Sequence, residues 1–316
     1  MTDTARVLVT CPPMLGMIDE FVPRFAARGV EVVPAKVVQT LSEDELCSLL
    51  PAFDGWIIGD DPATRRVFEA GHAGRLRAAV KWGIGVDNVD FAACRSLGIP
   101  ISNCPNMFGG EVADVAMSYL GALARETFVI DRGVRAGGWP KPRGISLAGR
   151  TLGLVGLGDI GRNLARRALA ADMNIVAYDP FHEGEVAGVQ RAAWPERVGE
   201  CDFLAFTCAL TPSNRHMLDA GVLARCKPGV RIANVARGPL IDEAALADAM
   251  HAGLVHSVAL DVFEVEPLPA GSPLRTMGDR TIFGSHNGSN TVDAVRRCSH
   301  LAIDTLLGYL GRPVQG

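Results

Sequence analysis

The chain has 316 residues, of which 48% are hydrophobic and 21% are charged, and its formal net charge is −4. This length suits about two globular domains, and the slightly acidic balance gives no support for nucleic-acid binding. No apolar run approaches the ~18 residues of a membrane span, and the first residues lack a signal-peptide core, so we expect no membrane partner.

The eight cysteines are scattered along the chain without Cys-x-x-Cys spacing. In a chain of this length, that pattern indicates reduced thiols in a cytoplasmic protein. No Cys/His cluster has the spacing of metal ligands, so we expect no metal.

The first hundred residues alternate predicted strands with helical patterns. The predicted strands are residues 6–10, 30–34, 55–59, 78–82 and 99–103. Helical patterns lie between them, as at 17–28 and 42–50, and Ser42 and Glu45 form a capping box at the start of the second. This alternation predicts a parallel sheet with helices on both faces.

The second half of the chain continues the same pattern. A long helix is predicted at 110–126, followed by a loop rich in Gly, Pro and Arg at 132–149. Further strands are predicted at 203–207, 231–234, 257–260 and 281–283, and an amphipathic helix at 291–310.

Residues 151–179 form a complete dinucleotide-binding pattern. A strand at 151–155 leads into Gly156-Leu-Gly-Asp-Ile-Gly161, a helical pattern follows, and a strand at 174–178 ends at Asp179. A G-x-G-x-x-G sequence alone is weak evidence. Here it follows a strand, opens a helix and precedes an acidic residue at close to the usual spacing of about 20 residues.

Each residue of this pattern has a physical reason. Gly156 permits the tight turn, Gly158 lets the backbone approach a pyrophosphate, and Gly161 lets the helix pack closely on the strand. The N–H groups of the first helical turn favour an anion. Asp179 can accept hydrogen bonds from both ribose hydroxyls and would repel a 2′-phosphate, so the sequence predicts NAD over NADP.

Six motifs together carry a family resemblance. In chain order they are Trp82-Gly-Ile-Gly-Val-Asp-Asn-Val-Asp90, Glu111-Val-Ala-Asp114, the Gly156–Gly161 loop, Asn234-Val-Ala-Arg-Gly238, Ala259-Leu-Asp-Val-Phe-Glu-Val-Glu-Pro267 and Ser285-His-Asn-Gly-Ser289. With these motifs the chain resembles the D-isomer-specific 2-hydroxyacid dehydrogenase family, which includes the D-3-phosphoglycerate dehydrogenases.

The resemblance implies catalytic roles for three side chains. Arg237 follows a predicted strand, and its planar guanidinium suits a substrate carboxylate and can polarise the adjacent carbonyl. His286 resembles the family's general acid/base, a task that suits histidine because the unperturbed imidazole titrates near working pH. Glu266 resembles the carboxylate that hydrogen-bonds this histidine and stabilises the imidazolium. Residue type alone also fits a surface arginine, a turn at Glu266 and a solvated histidine.

The resemblance also implies binding residues. The N–H groups of Gly83, Ile84 and Gly85 would form a nest for the substrate carboxylate, although these residues also fit a plain turn. Asp261 matches the residue that accepts a hydrogen bond from the nicotinamide carboxamide. The further positions expected near the cofactor are Ile84, Asp159, Ile160, Cys208, Ala236, Gly288 and Ser289. Cys208 is expected to contribute by location, without a reactive thiolate.

The implied fold is α/β, with two doubly wound parallel-sheet domains. A Rossmann NAD-binding domain at 104–289 is expected to be inserted into a flavodoxin-like substrate domain formed by 1–103 and 290–316. The active site is expected in the cleft, with domain closure excluding water. The resemblance further implies a homodimer formed through the NAD-binding domain, with the 132–149 loop and its Trp139 in the contact.

Departures from the family leave the substrate open. Where phosphoglycerate dehydrogenases place an arginine after the third strand, this chain has Asp60 and Asp61, so phosphoglycerate is not favoured. Lys81 beside the nest and Met14 after the first strand are candidates for the side-chain pocket. The main interpretation is an NAD-dependent D-2-hydroxyacid dehydrogenase or 2-oxo acid reductase. The alternatives are a relative acting on a phosphonate, phosphite or formate, and an NAD(H)-sensing protein without catalysis.

Overall fold

The computed structural model describes residues 4–312, which divide into two compact units. One unit contains residues 4–107 and 290–312, and the other contains Phe108–Ser289. The first crossing between the units therefore lies after Met107, four residues beyond the expected boundary at 103. The assignment of substrate to one unit and cofactor to the other stays a prediction.

The elements are as follows in chain order. The strands are β1 Ala5–Val9, β2 Val30–Pro34, β3 Gly55–Ile58, β4 Ala78–Lys81, β5 Ile101–Asn103, β6 Thr151–Val155, β7 Asn174–Tyr178, β8 Val189–Arg191, β9 Phe203–Phe206, β10 Val230–Asn234, β11 Val255–Leu260 and β12 Thr281–Phe283. The α-helices are α1 Pro12–Leu15, α2 Ile18–Ala26, α3 Glu43–Leu49, α4 Arg65–Ala73, α5 Phe91–Leu97, α6 Gly109–Arg125, α7 Thr127–Arg135, α8 Asp159–Ala170, α9 Ala220–Leu223, α10 Glu243–His251 and α11 Val292–Tyr309.

The first unit contains a five-stranded parallel sheet in the order β2-β1-β3-β4-β5. The chain winds to one side of β1 and then to the other, which is the flavodoxin-like order. Every residue of β3 and β4 is buried, as expected when both faces of a parallel sheet are covered. In this unit α11 packs on β3 and β4.

The predicted capping box is confirmed at the start of α3. The Ser42 backbone N–H donates to the Glu45 carboxylate at 2.8 Å, and the Glu45 N–H donates to the Ser42 hydroxyl at 3.3 Å. These bonds satisfy two N–H groups that the first helical turn leaves without partners. The start of α3 is therefore determined locally by the sequence.

The second unit contains a seven-stranded parallel sheet in the order β12-β11-β10-β9-β6-β7-β8. The winding direction reverses between β6 and β9, and in sheets of this kind ligands bind at the carboxyl ends of the strands at such a reversal. The predicted α/β class with two doubly wound parallel sheets is confirmed.

One predicted loop is partly helical. The loop expected at 132–149 begins later, because α7 continues to Arg135. An ion pair between Arg135 and Asp131, one helical turn apart, supports this end of the helix. Gly133 contributes to the loop-like composition of this segment, but it lies inside the helix. The residues that do interrupt the helical pattern are Gly137 and Gly138.

The glycine loop between β6 and α8 is shaped by main-chain contacts. Gly156 has φ of +99°, and a Cβ there would lie 2.6 Å from the backbone nitrogen of Cys208. A Cβ on Gly161 would lie 2.1 Å from the carbonyl oxygen of Gly156. A Cβ on Gly158 would meet nothing within 4 Å. Gly156 and Gly161 are therefore required by the fold, whereas Gly158 leaves open space in front of α8.

Two sequence expectations concern absent features. Within residues 4–312, no helix has both the length and the apolar character needed to cross a bilayer. The same residues contain no group of three or more His, Cys, Asp or Glu side chains arranged to hold a metal ion.

The loop geometry predicts different effects for two alanine substitutions. Gly161→Ala should lower the free energy of unfolding by about 1–3 kcal/mol, because the added methyl group collides with main chain that cannot move aside. Gly158→Ala is the matched control and should change it by less than about 0.5 kcal/mol. Urea unfolding of both variants tests this difference. Equal losses would show that the close approach at Gly161 is relieved by relaxation.

Candidate active site

The Asp179 carboxylate is held at the end of β7 by three backbone N–H groups. One oxygen accepts from Leu157 in the glycine loop at 2.7 Å, and the other accepts from Phe181 and His182 at 2.8 and 3.0 Å. A carboxylate has about four lone-pair sites, so hydrogen-bond capacity remains for about one further donor, such as a ribose hydroxyl. The loop and the acidic residue are thus joined directly.

The residues around this loop fit a bound dinucleotide. The N–H groups at the start of the 12-residue helix α8 favour an anion, and the open space at Gly158 lets a pyrophosphate approach the backbone. The Thr207 hydroxyl donates to the Gly156 carbonyl at 2.9 Å, which fixes the loop against the end of β9. Asp159 and Ile160 form the first residues of α8.

Cys208 lies against the turn at Gly156. Burial raises the pKa of its thiol to about 12, so the thiol is protonated near neutral pH. Because a protonated thiol is a poor nucleophile, Cys208 contributes volume and main-chain contact here.

His286 and Glu266 are in direct contact. The Nδ1 atom of His286 and the Oε2 atom of Glu266 are 2.8 Å apart, and both side chains are about one-fifth exposed. The other carboxylate oxygen of Glu266 accepts from the Phe263 N–H at 2.9 Å, which fixes the carboxylate plane. A carboxylate on Nδ1 keeps the proton there in the neutral ring and leaves Nε2 for proton exchange.

The backbone of His286 is in the left-handed region, with φ of +57°. Residues other than glycine adopt this conformation at a cost, so neighbouring contacts must hold it. The His286 N–H donates to the Asp261 carbonyl at 2.6 Å. The Asp261 carboxylate accepts from the N–H groups of Asn287 at 3.2 Å and Gly288 at 2.9 Å. Asp261 therefore anchors the turn that carries His286.

Tyr119 of α6 is a residue that the sequence did not assign to the site. Its hydroxyl bonds the buried Asp261 carboxylate, and burial together with that carboxylate raises the pKa of Tyr119. A Cβ on Gly284 would lie 2.1 Å from an Asp261 carboxylate oxygen and 2.5 Å from the Tyr119 hydroxyl. A phenol within a stripe of buried aliphatic residues was the available signal, because a buried hydroxyl needs a partner.

Arg237 follows β10 in a turn that Asn234 organises. The buried Asn234 side chain accepts from the Ala236 N–H at 3.0 Å and donates to the Arg237 carbonyl at 2.9 Å. The Arg237 guanidinium donates to the Ala236 carbonyl at 2.8 Å. A Cβ on Gly238 would lie 1.8 Å from the carbonyl carbon of Phe263, so the two main chains touch at this point.

One segment therefore connects the three predicted catalytic residues. Residues 263–266 contact the turn of Arg237 through Gly238 and the ring of His286 through Glu266. An arginine, a carboxylate and a histidine so arranged can bind an anion and exchange a proton. Gly288 lies on Asp261, Ala236 is buried in the Arg237 turn, and Ser289 is partly exposed at the end of the same unit.

The predicted carboxylate nest belongs to the other unit. Gly83 has φ of +107°, and its carbonyl accepts from the Cys104 N–H at 3.0 Å. The Ile84 carbonyl accepts from the Asn103 side chain at 3.1 Å, and the Ile84 side chain is 43% exposed. The Gly83 and Ile84 carbonyls of this turn are thus held by the last residue of β5 and by the residue after it.

The sequence argument about Asp60 and Asp61 needs one correction. Asp61 is fully buried, and its carboxylate accepts from the Thr10 hydroxyl and from the N–H groups of Leu41 and Gly59. Burial raises the pKa of Asp61. Asp61 therefore supports the main chain inside its unit and does not face a ligand, which leaves Asp60 as the exposed carboxylate of the two.

Comparison with known proteins gives a consistent assignment. Residues 117–288 match the sequence profile described as D-isomer specific 2-hydroxyacid dehydrogenase, NAD binding domain. A hydroxypyruvate reductase of Thermotoga maritima is 35% identical over 276 residues, which are 86% of this chain and 89% of that protein. A D-3-phosphoglycerate dehydrogenase of Methanocaldococcus jannaschii is 35% identical over 283 residues, 87% of this chain and 53% of that protein. The chain thus spans about half the length of the second relative.

Solved structures agree over nearly the whole chain. The TT0316 protein of Thermus thermophilus is 30% identical with a TM-score of 0.85, and 98% of each chain is covered. A glyoxylate reductase of Paecilomyes thermophila is 25% identical with a TM-score of 0.78, covering 99% of this chain and 98% of that one. The chain belongs to the D-isomer-specific 2-hydroxyacid dehydrogenase family, whose cofactor is NAD.

Proposed function

We propose that this NAD-dependent oxidoreductase interconverts a D-2-hydroxy acid and the corresponding 2-oxo acid, with His286 as the general acid/base. The observation that carries the proposal is the 2.8 Å contact between His286 Nδ1 and Glu266 Oε2 in the unit that contains the dinucleotide loop. A carboxylate-oriented histidine is the group expected to exchange a proton with the C2 oxygen. Bound NAD supplies the hydride acceptor at C2, and NADH supplies the donor.

The Glu266 carboxylate gives His286 two properties. It orients the ring, and its negative charge stabilises the imidazolium that forms when His286 takes the hydroxyl proton in the oxidative direction. In the reductive direction the imidazolium donates that proton to the C2 oxygen as negative charge develops there. The second oxygen of Glu266 is bound to the Phe263 N–H, so the carboxylate keeps its position as His286 changes charge.

Arg237 is proposed to bind the substrate carboxylate and to polarise the C2 carbonyl. Its planar guanidinium can make two parallel hydrogen bonds, which fixes the orientation of a planar acid. The backbone N–H groups of Gly83, Ile84 and Gly85 are proposed to bind the same carboxylate, which suits a turn whose carbonyls are already bonded on the other side. We propose that Asp261 also accepts from the nicotinamide carboxamide.

A homodimer formed through Phe108–Ser289 is proposed from the surface of that unit. Helix α7 has no buried residue, its Phe128 and Val134 are 45% and 43% exposed, and Trp139 after it is 77% exposed. Several exposed large apolar side chains in one segment are typical of a surface that a partner covers. Light scattering of the purified chain measures the mass that decides between monomer and dimer.

A cytoplasmic location is proposed from the cysteines. All eight are free thiols, and most are buried. A chain that keeps this many unpaired thiols suits a reducing compartment.

The proposed reaction is tested by NADH oxidation with a panel of 2-oxo acids. The panel contains glyoxylate, pyruvate, hydroxypyruvate, and branched and aromatic acids, with phosphonopyruvate for the phosphonate alternative. We expect turnover of at least one acid with kcat above about 1 s⁻¹. Measurable NADH binding without turnover of any acid would contradict the proposal and favour an NAD(H)-sensing protein.

His286→Asn should reduce kcat by about 10²–10⁴-fold while NADH still binds, because the general acid is lost. Asparagine suits the left-handed backbone at this position, so the variant should fold. His216→Asn is a matched control, since His216 also has a left-handed backbone and contacts Glu264 at 2.9 Å in the same unit. Stopped-flow kinetics compares both variants. A normal kcat for His286→Asn would remove this residue as the acid.

Tyr119→Phe should lower kcat about 3- to 30-fold with little change in substrate KM, because a loosened Asp261 no longer holds the His286 turn. Tyr178→Phe is the control, because it removes a buried hydroxyl that contacts Cys201 in the same unit. Both variants should lose similar stability in thermal unfolding. If kcat falls equally in the two, Tyr119 has only a general structural role.

Asp179→Ala should weaken binding of NAD more than binding of NADP, shifting the preference by at least about tenfold. The carboxylate favours the ribose diol and repels a 2′-phosphate, so its loss removes both effects. Fluorescence titration with NADH and NADPH measures the ratio. Equal weakening of both would mean that Asp179 acts only by holding the Leu157 N–H of the loop.

A further inference from the structure

A buried lysine lies at the carboxyl edge of the sheet in the first unit. Lys81 ends β4 directly before Trp82 and the Gly83–Gly85 turn, and its side chain is 3% exposed. The ammonium group is 3.1 Å from an Asp60 carboxylate oxygen and donates to the Trp82 carbonyl at 3.1 Å. The sheet therefore places a cation beside the turn, and that cation is already paired.

Asp60 provides the counter-charge from the neighbouring strand. It follows β3 by two residues, and Ile58 of β3 is in register with Lys81 of β4. The Asp60 side chain is 34% exposed, and its second carboxylate oxygen accepts from the Gln39 amide at 3.3 Å. Asp60 therefore pairs with the Lys81 ammonium and places a partly exposed carboxylate at this edge.

Two arginines of α11 are bonded to other groups. On α11, Arg296 binds Glu20 and Arg297 donates to the Met107 carbonyl.

We propose that Asp60 makes the subsite beside the Gly83–Gly85 turn selective for 2-oxo acids with a single anionic group, their C1 carboxylate. This inference rests on the proposed function, in which that turn binds C1. A phosphate or second carboxylate on the substrate would meet the Asp60 carboxylate, and the Lys81 ammonium could reach it only by breaking a buried ion pair. A hydrogen, hydroxyl, amide or alkyl group at the same position of the substrate is uncharged and is not repelled by Asp60.

Two pairs of acids separate charge from size. 2-Oxoglutarate and its 5-methyl ester share a carbon chain and differ by one negative charge, and hydroxypyruvate and 3-phosphohydroxypyruvate differ by a phosphate. For the wild-type chain, kcat/KM should be at least about tenfold higher for the member without the second charge in each pair. The same ratios are then measured in the variants.

Asp60→Asn should reduce each preference at least about tenfold, because it removes the negative charge and leaves the Lys81 ammonium unneutralised. Asp44→Asn is the matched control, since Asp44 also pairs with a cation, Arg66, on an exposed surface of the same unit. It should leave both ratios unchanged. Thermal unfolding shows whether the variants remain folded.

Gln39→Lys is a second variant, which adds a positive charge beside Asp60 and leaves the Lys81–Asp60 ion pair intact. The new ammonium would lie near the Asp60 oxygen that now accepts from the Gln39 amide, and it should also narrow both preferences. If the wild-type chain has the higher kcat/KM for the acid with the second negative charge in each pair, this inference is overturned and the proposed function still stands. Absence of turnover with these four acids and with every acid of the wider panel would contradict the proposed function and, with it, this inference.

Discussion

The geometry of the candidate active site depends on the hydrogen bonds of one buried residue, Asp261. Its N–H donates to the Asn234 carbonyl, its own carbonyl accepts from His286, and its carboxylate accepts from Asn287 and Gly288. A buried carboxylate without partners would cost several kcal/mol, so these bonds are obligatory once Asp261 is inside. The turn after β10 and the turn after β12 are consequently tied to the end of β11 that lies between them.

Parallel sheet topology explains why the reactive groups gather at this edge. Arg237 follows β10, Asp261 follows β11 and His286 follows β12 by three residues, and these three strands are neighbours in the sheet. The glycine loop follows β6 at the point where the winding reverses. Because every strand points the same way, all of these turns emerge at the carboxyl edge. Close main-chain approach, as between Gly238 and Phe263, then sets the distances within the edge.

The sequence predicts those features of the protein that local chemistry determines. Buried strands stand out as apolar runs, and the glycine loop and the Ser42 capping box have local signatures. The bounds of α4 do not follow from its sequence pattern, because Gly71 interrupts that pattern and is required by the close packing of Leu76. The opposite fates of Asp60 and Asp61 could not be inferred either, since side-chain alternation ends where β3 ends. The role of Tyr119 depends on a contact with β11 far along the chain.

The division of the chain into two units has a consequence for the divergence of such enzymes. The residues proposed for proton exchange and cofactor binding lie almost entirely within Phe108–Ser289, whereas the Lys81–Asp60 pair belongs to the other unit. Substitutions around that pair can therefore alter which acids are accepted without disturbing the bonds around Asp261. A lineage built on this plan acquires new substrates by changing a few charges at one sheet edge, while its reaction is inherited unchanged.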